Sequence, residues 1–228
     1  NLEMQVEAVA KNAVRVSFEN DCRGFKGHGY FQRVHYTVLG DGTVVIDQEL
    51  EEQGKLPVLP KVGLQLRVKD EFDRFKWLGR GPIESYPDRK MAADVGLYEG
   101  TVDEQYQPYL RAQENGNKEE VRWASLTNRM GVGLMIQSQG PLSMTVSRYT
   151  AQDLFDSRHQ NGEPRKRVPL RKRDEVIVCL DQQQMGLGGA SCGPGPLRYC
   201  RVDNEAPRWR VILKAVGNGL TPNGRHIP

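Results

Sequence analysis

The chain is short of the features that would place it in a membrane, on nucleic acid or around a metal. No apolar run approaches the roughly 20 residues that a membrane-spanning helix needs. It opens Asn1-Leu2-Glu3, without the basic-then-apolar pattern of a leader. The 32 Lys and Arg are nearly matched by 29 Asp and Glu, a net charge of +3 that is too balanced for a nucleic-acid surface. Neither a membrane nor a nucleic-acid partner is therefore expected. The four cysteines, Cys22, Cys179, Cys192 and Cys200, form no Cys-x-x-Cys pair and are read as free thiols, Cys179 in the core and Cys192 in an exposed loop. The four histidines, His28, His35, His159 and His226, lack metal-ligand spacing. Internal repeats and low-complexity linkers are also missing, and helix signals are few.

What is present is a polar, core-forming, β-rich sequence. With 38% hydrophobic and 27% charged residues over 228 positions, the chain falls in the ordinary globular range, and a globule of this size buries about 70% of its unfolded surface. Val14, Val16 and Phe18 alternate with polar neighbours, as do Val62, Leu64, Leu66 and Val68, the period of half-buried strands. Tyr30 to Leu39 and Thr43 to Leu50 flank Gly40-Asp41-Gly42 and predict a hairpin. Further strands are expected at Val121 to Thr127, Val132 to Gln137, Leu142 to Tyr149, Glu175 to Asp181 and Trp209 to Lys214.

Short helices are expected after Pro87, over Asp88 to Val95 with Gly96 as the stop, and from Thr150-Ala151-Gln152-Asp153. Many strands with turns every 8–12 residues and no repeated helix predict an all-β fold, a large antiparallel β-sandwich forming a single domain over 1–228. The basic cluster Arg165-Lys166-Arg167 and Arg171-Lys172-Arg173 is read as a solvated surface loop.

Three segments carry more than composition does. They are Trp77-Leu78-Gly79-Arg80-Gly81-Pro82-Ile83-Glu84-Ser85-Tyr86-Pro87-Asp88-Arg89, then Tyr106 to Gly116 ending in Glu114-Asn115-Gly116, then Asp181-Gln182-Gln183-Gln184-Met185-Gly186-Leu187-Gly188-Gly189 running into Ala190-Ser191-Cys192-Gly193-Pro194. In this order, and with Trp123, Ser147-Arg148-Tyr149 and Trp209 in support, the chain resembles the C-terminal small-chain domain of the large bacterial β-galactosidases of glycoside hydrolase family 2. The resemblance covers essentially the whole chain. It implies a supersandwich shaped like the galactose mutarotases, a fragment of a longer enzyme, and a bacterial cytoplasmic or periplasmic location.

The resemblance also implies a division of labour. Retaining glycosidases need two carboxyl groups about 5–5.5 Å apart. In the family both catalytic glutamates and the ligands for Mg and Na lie in an upstream barrel domain of the same polypeptide, so no catalytic residue, metal or cofactor is expected here. Homo-oligomer contacts are expected of the parent enzyme. The family's C-terminal domain borders the galactoside with the loop after the Met-Gly-x-Gly-Gly string, which corresponds to Gly189 to Pro196 here, with Gly189, Ser191, Cys192, Gly193 and Pro194 as the implied substrate-binding residues. The best-known relatives carry a Trp there as an apolar platform for the sugar. This chain departs from that pattern, with no aromatic before Tyr199, so the platform is either missing or replaced by the smaller Cys192, and a galactoside preference is an expectation.

The remaining motif residues are read structurally. Gly79, Gly81 and Pro82 are expected to shape a tight turn beside Trp77, with Glu84, Asp88 and Arg89 in local ion pairs near Tyr86. Glu114, Asn115 and Gly116 form either a turn or a hold on the neighbouring loop at the domain interface. Asp181, Gly186 and Gly188 precede the candidate loop, itself either a sugar wall or a constrained turn. The adjacent pairs Glu51-Glu52 and Glu119-Glu120 are expected to point to opposite faces and to be solvated. Two other functions stay open: a stand-alone carbohydrate-binding module, and a mutarotase-like isomerase, which needs a histidine and a carboxylate about one sugar ring.

Overall fold

Alternating apolar and polar side chains can bury one face of a pleated strand, and most of this chain uses that solution. The computed structural model describes residues 2–24, 27–54, 56–110, 112–158, 169–189, 193–202 and 207–217. Its strands are β1 (Leu2–Ala10), β2 (Ala13–Asp21), β3 (Gly29–Leu39), β4 (Val44–Gln53), β5 (Lys61–Lys69), β6 (Arg74–Gly81), β7 (Asp94–Thr101), β8 (Lys118–Thr127), β9 (Gly133–Ser147), β10 (Glu175–Gln184) and β11 (Arg208–Val216). One helix, α1 (Ala151–Arg158), follows β9.

The strands are antiparallel and run in the order β1-β2-β3-β4-β11-β9-β8-β6-β7, with β10 joined to β9 and to β5. The long β9 is the hinge of this arrangement. Its first half, Gly133 to Ser138, pairs with β11, and its last residues, Ser143 to Ser147, pair with β10. Two strands expected from the sequence are thus one, and Pro141 falls where the partners change and a missing N–H removes no ladder bond.

Because of this fork, Val62 of β5 and Val176, Val178 and Leu180 of β10 share one core with Phe75, Trp77, Ala124, Leu126, Ile136 and Val211. Two plies therefore face each other across a common interior, as in a β-sandwich. Phe75 and Trp77 stack at its centre with ring centroids 4.5 Å apart.

The hairpin forms as expected. Gly42 takes φ +81, and the Thr43 amide donates to Asp41 Oδ1 at 2.9 Å. Helix α1 is also where Thr150 predicted it. Its start is a reciprocal capping box: the Thr150 amide donates to Asp153 Oδ2 at 2.8 Å and the Asp153 amide to Thr150 Oγ1 at 3.1 Å.

Two expectations are corrected. Residues 88–95 do not form a helix: a tight turn closes with the Arg89 amide donating to the Tyr86 carbonyl at 2.8 Å, a second joins Ala93 to Lys90 at 3.1 Å, and β7 starts at Asp94. Gly79 and Gly81 lie inside β6, not in a turn. A Cβ on Gly79 would come within 2.9 Å of Val121 Cα, and one on Gly81 within 2.6 Å of the Tyr98 ring. These glycines let a neighbouring strand and a ring approach closely.

Candidate functional site

The three sequence motifs meet at one end of the sandwich and hold one another by side chains that accept backbone N–H groups. Glu84 Oε2 accepts the Gly116 amide at 2.7 Å, and Glu84 Oε1 accepts the Tyr109 hydroxyl. Ser85 and Asn117 exchange backbone and side-chain bonds at 2.8 and 2.9 Å. Asn115 is buried and folds its own loop, accepting from the Gln107 amide at 3.1 Å and donating to the Gln113 carbonyl at 2.8 Å. Gly116 is required here, with φ +78 and a missing Cβ that would lie 2.6 Å from the Gln105 carbonyl. Asn115 and Gly116 thus close their own loop and tie it to the first motif.

The first motif also reaches the third. Asp88, expected in a local ion pair, instead accepts the Leu187 amide on Oδ1 at 3.1 Å and the Gly188 amide on Oδ2 at 2.6 Å. Its carboxylate lies against Gly186, where a Cβ would come within 2.7 Å. Gly188 has φ +61. The segment then turns, with the Gly189 amide donating to the Pro194 carbonyl at 3.1 Å and the Gly193 amide to the Gly189 carbonyl at 2.5 Å. Gly189, Gly193 and Pro194 are exposed. Ser191 and Cys192, also expected in the sugar-facing loop, lie outside the described residues, as do Arg165 to Arg167 of the basic cluster, His159 and His226. In the second half of that cluster, Lys172 pairs with Asp103 and Arg173 with Asp153.

Beneath the junction the chain buries several ionisable groups. Lys118 is fully buried with Nζ 5.3 Å from the Trp77 ring centroid and no hydrogen-bond partner among the described residues. Burial pushes its amine down to about 8, against the pull of Glu84. Tyr86 is fully buried, its hydroxyl has no hydrogen-bond partner among the described residues, and burial drives its pKa upward.

Two pairs of carboxylates converge, each on a lysine. Lys61 Nζ stands 3.3 Å from Asp181 Oδ2 and 3.8 Å from Glu114 Oε2. Burial raises Asp181 to about 6 while Lys61 pulls it down. The adjoining cavity, about 50 Å³, is far smaller than an ordinary small-molecule site. The second pair is Glu119 and Glu120, whose expected solvation and opposite facing are both overturned. Glu119 is only 5% exposed. It accepts from Asn117 Nδ2 at 2.9 Å and Ser143 Oγ at 2.5 Å, and its other oxygen is 3.4 Å from Lys90 Nζ. Glu120 Oε1 lies 3.2 Å from the same Nζ and 3.0 Å from Arg80 Nε.

Consecutive residues reach one cation because Glu120 has φ 57 and the β8–β9 register shifts between Lys118 and Val121. Period-two logic fails where the strand bulges. By contrast Glu51 remains exposed, with its carboxylate 3.5 Å from Arg33.

Lys90, Glu119 and Glu120 line an open cleft of about 390 Å³ together with Ser143, Gln182, Gln184 and the exposed Tyr199. Only the run Gln182-Gln183-Gln184 within a strand hinted at it in sequence. Among the described residues no group of three or more His, Cys, Asp or Glu side chains is placed to hold a metal ion, and no helix is long and apolar enough to cross a membrane. Cys22, Cys179 and Cys200 are free thiols. His35 shares a 2.7 Å hydrogen bond with Ser17 on the β2–β3 pair.

Fold and junction together define an antiparallel β-sandwich in which three motifs converge to fix one glycine-rich loop. The chain belongs to the β-galactosidase small chain family, whose profile matches residues 2–213. It is 38% identical over 156 residues to a β-galactosidase of Priestia megaterium, covering 68% of this chain and 14% of that protein. It is 36% identical over 157 residues to a β-galactosidase of Vibrio cholerae, covering 69% of this chain and 14% of that protein. The chain thus spans about one seventh of the length of these relatives. Among solved structures it is similar to a GalM/aldose epimerase homologue from C. elegans, with 10% identity and a TM-score of 0.43 over 94% of this chain and 68% of that one.

Proposed function

We propose that this chain is a non-catalytic domain of a longer β-galactosidase, walling one side of the sugar site with the loop from Gly189 to Pro194, Ser191 and Cys192 included. The catalytic acid and nucleophile, and the ligands for Mg and Na, belong on this reading to an upstream barrel of the same polypeptide, and subunit contacts to the assembled enzyme. The observation that carries the proposal is the Asp88 carboxylate, which fixes the entry to the loop through two backbone amides. Such anchoring suits a loop that must present one shape to a substrate.

Two further facts favour it. The similar β-galactosidases are about seven times as long as the matched region. Each convergent carboxylate pair here has an ammonium group between its members. A retaining mechanism instead places the glycosidic bond between the two carboxyls.

The test is hydrolysis of a chromogenic β-galactoside by the chain alone and by the chain within its full-length enzyme. No turnover above background is expected from the chain alone. In the full-length enzyme Asp88→Ala should raise KM more than it lowers kcat. Turnover by the isolated chain at the rate of a whole enzyme overturns the proposal, and so does an Asp88→Ala enzyme with unchanged KM.

A further inference from the structure

We infer that the cleft between the Glu119–Glu120 bulge, the end of β10 and Tyr199 is a binding site for a neutral pyranose, built entirely within this chain. Its volume, about 390 Å³, sits near the lower end of the 300–1,000 Å³ usual for small-molecule sites and suits one or two sugar rings. The lining carries two anions, Glu119 and Glu120, and two cations, Lys90 and Arg201, a sum of zero. A charged ligand gains no net attraction from such a set. A cation in particular would have to displace the Lys90 ammonium, 3.4 and 3.2 Å from the two carboxylates.

The hydrogen-bonding groups point to hydroxyls. Gln184 is only 8% exposed, it lines the cleft, and its Oε1 has no hydrogen-bond partner among the described residues. Gln182 Oε1, on the same strand and also lining the cleft, is likewise buried without a partner among the described residues. Two unpartnered buried acceptors call for donors, and sugar hydroxyls supply them in pairs. Glu119 is held rigid by Asn117 and Ser143, which in turn fixes Lys90 as a donor to ligand oxygens. Tyr199, 81% exposed at the rim, offers a ring face for the C–H side of a pyranose. Acceptors at depth, a fixed donor and an aromatic rim make a complete small sugar site.

This site is distinct from the loop of the proposed galactoside wall. The two are neighbours, since the Gly186 amide donates to the Cys200 carbonyl at 2.7 Å, but the sugar-facing residues differ. The cleft therefore stands or falls separately from the β-galactosidase reading.

Titration of the 228-residue chain with methyl β-galactopyranoside, methyl β-glucopyranoside and glycerol, followed by calorimetry and by NMR of the glutamine side-chain amides, tests it. A dissociation constant of about 1–10 mM for at least one pyranoside is expected, with the Gln182 and Gln184 amide signals shifting and glycerol without saturable effect. Tyr199→Ala and Gln184→Ala should each weaken binding about tenfold. If Gln184→Ala does not fold, the exposed Tyr199→Ala decides alone. No saturable binding of either pyranoside at about 100 mM, well above that range, or binding indifferent to the Tyr199 substitution, overturns the site.

Discussion

Asp88 and Gly188 are one hundred positions apart in sequence, yet the carboxylate of the first accepts the amide of the second at 2.6 Å. This bond joins a turn that was expected to be helical to the glycine-rich loop proposed to face the sugar. Its placement explains why the turn does not continue as a helix: Asp88 is turned outward to meet a different segment.

Replacing Asp88 with alanine should loosen the loop without unfolding the sandwich. The side chain is exposed, so a loss of only about 1 kcal/mol is expected from its two amide bonds. Hydrogen exchange at the Leu187 and Gly188 amides should accelerate about fivefold or more, as that energy implies. Unaltered exchange at both amides would count against the clamp.

The buried Lys118 makes a prediction with a definite pH signature. Its folded amine titrates at about 8 rather than 10.5, so between those values the unfolded chain binds more protons and stability rises with pH. Below pH 8 the full cost of burying the ammonium is present, on the order of 3 kcal/mol. Lys118→Met should therefore raise the melting temperature at pH 7, and its advantage should fade as pH climbs from 8 to 10.5. Thermal melts of both proteins across that range check it; a pH-independent difference contradicts it.

The capping box at α1 gives an acid-side counterpart. The Arg173 guanidinium, with help from Thr150, holds the Asp153 carboxyl well below the usual carboxylate range. The folded pKa is depressed, so its contribution is fully present above about pH 4, the ordinary carboxylate value, and is lost as pH falls through the folded value. Thr150→Ala should cost about 1 kcal/mol at neutral pH. Arg173→Ala should shift the acid unfolding midpoint upward. An acid transition identical to the parent chain's would remove this pair from the account.

Gly116→Ala tests the brace beneath the loop. A side chain there combines φ +78 with a carbonyl oxygen 2.6 Å away, a strain of about 1–3 kcal/mol. Denaturant midpoints should fall accordingly, whereas Gly42→Ala, equally left-handed but with open space around it, should cost less. Equal losses at the two positions would show that the contact with Gln105 is immaterial.

How much of this was legible beforehand depended on whether a local signal had a single meaning. The β3–β4 hairpin and α1 could be read because turn chemistry and caps act over a few residues. Strands β6 and β7 are not legible in the sequence because their glycines look like punctuation: Gly79, Gly81 and Gly96 read as turn or stop signals. In fact each sits within a strand where another strand or the Tyr98 ring comes close. The motif order identified the family, but not that Glu84 and Asp88 serve distant backbone amides, since those partners exist only after the plies close. The cleft at Lys90 was hidden for a simpler reason. A left-handed Glu120 reverses the facing of its neighbours, and alternation carries no warning of it.

Among the described residues strand β1 pairs only with β2, and Met4 and Val6 on it are each 62% exposed. Its outer rim offers unsatisfied amides and carbonyls beside greasy side chains, the combination that templates edge-to-edge stacking of identical molecules. Glu3 and Glu7 along the same strand act as gatekeepers, since like charges in register repel. Concentrated preparations should accordingly stay clear at low ionic strength and turn cloudy first as added salt screens those carboxylates.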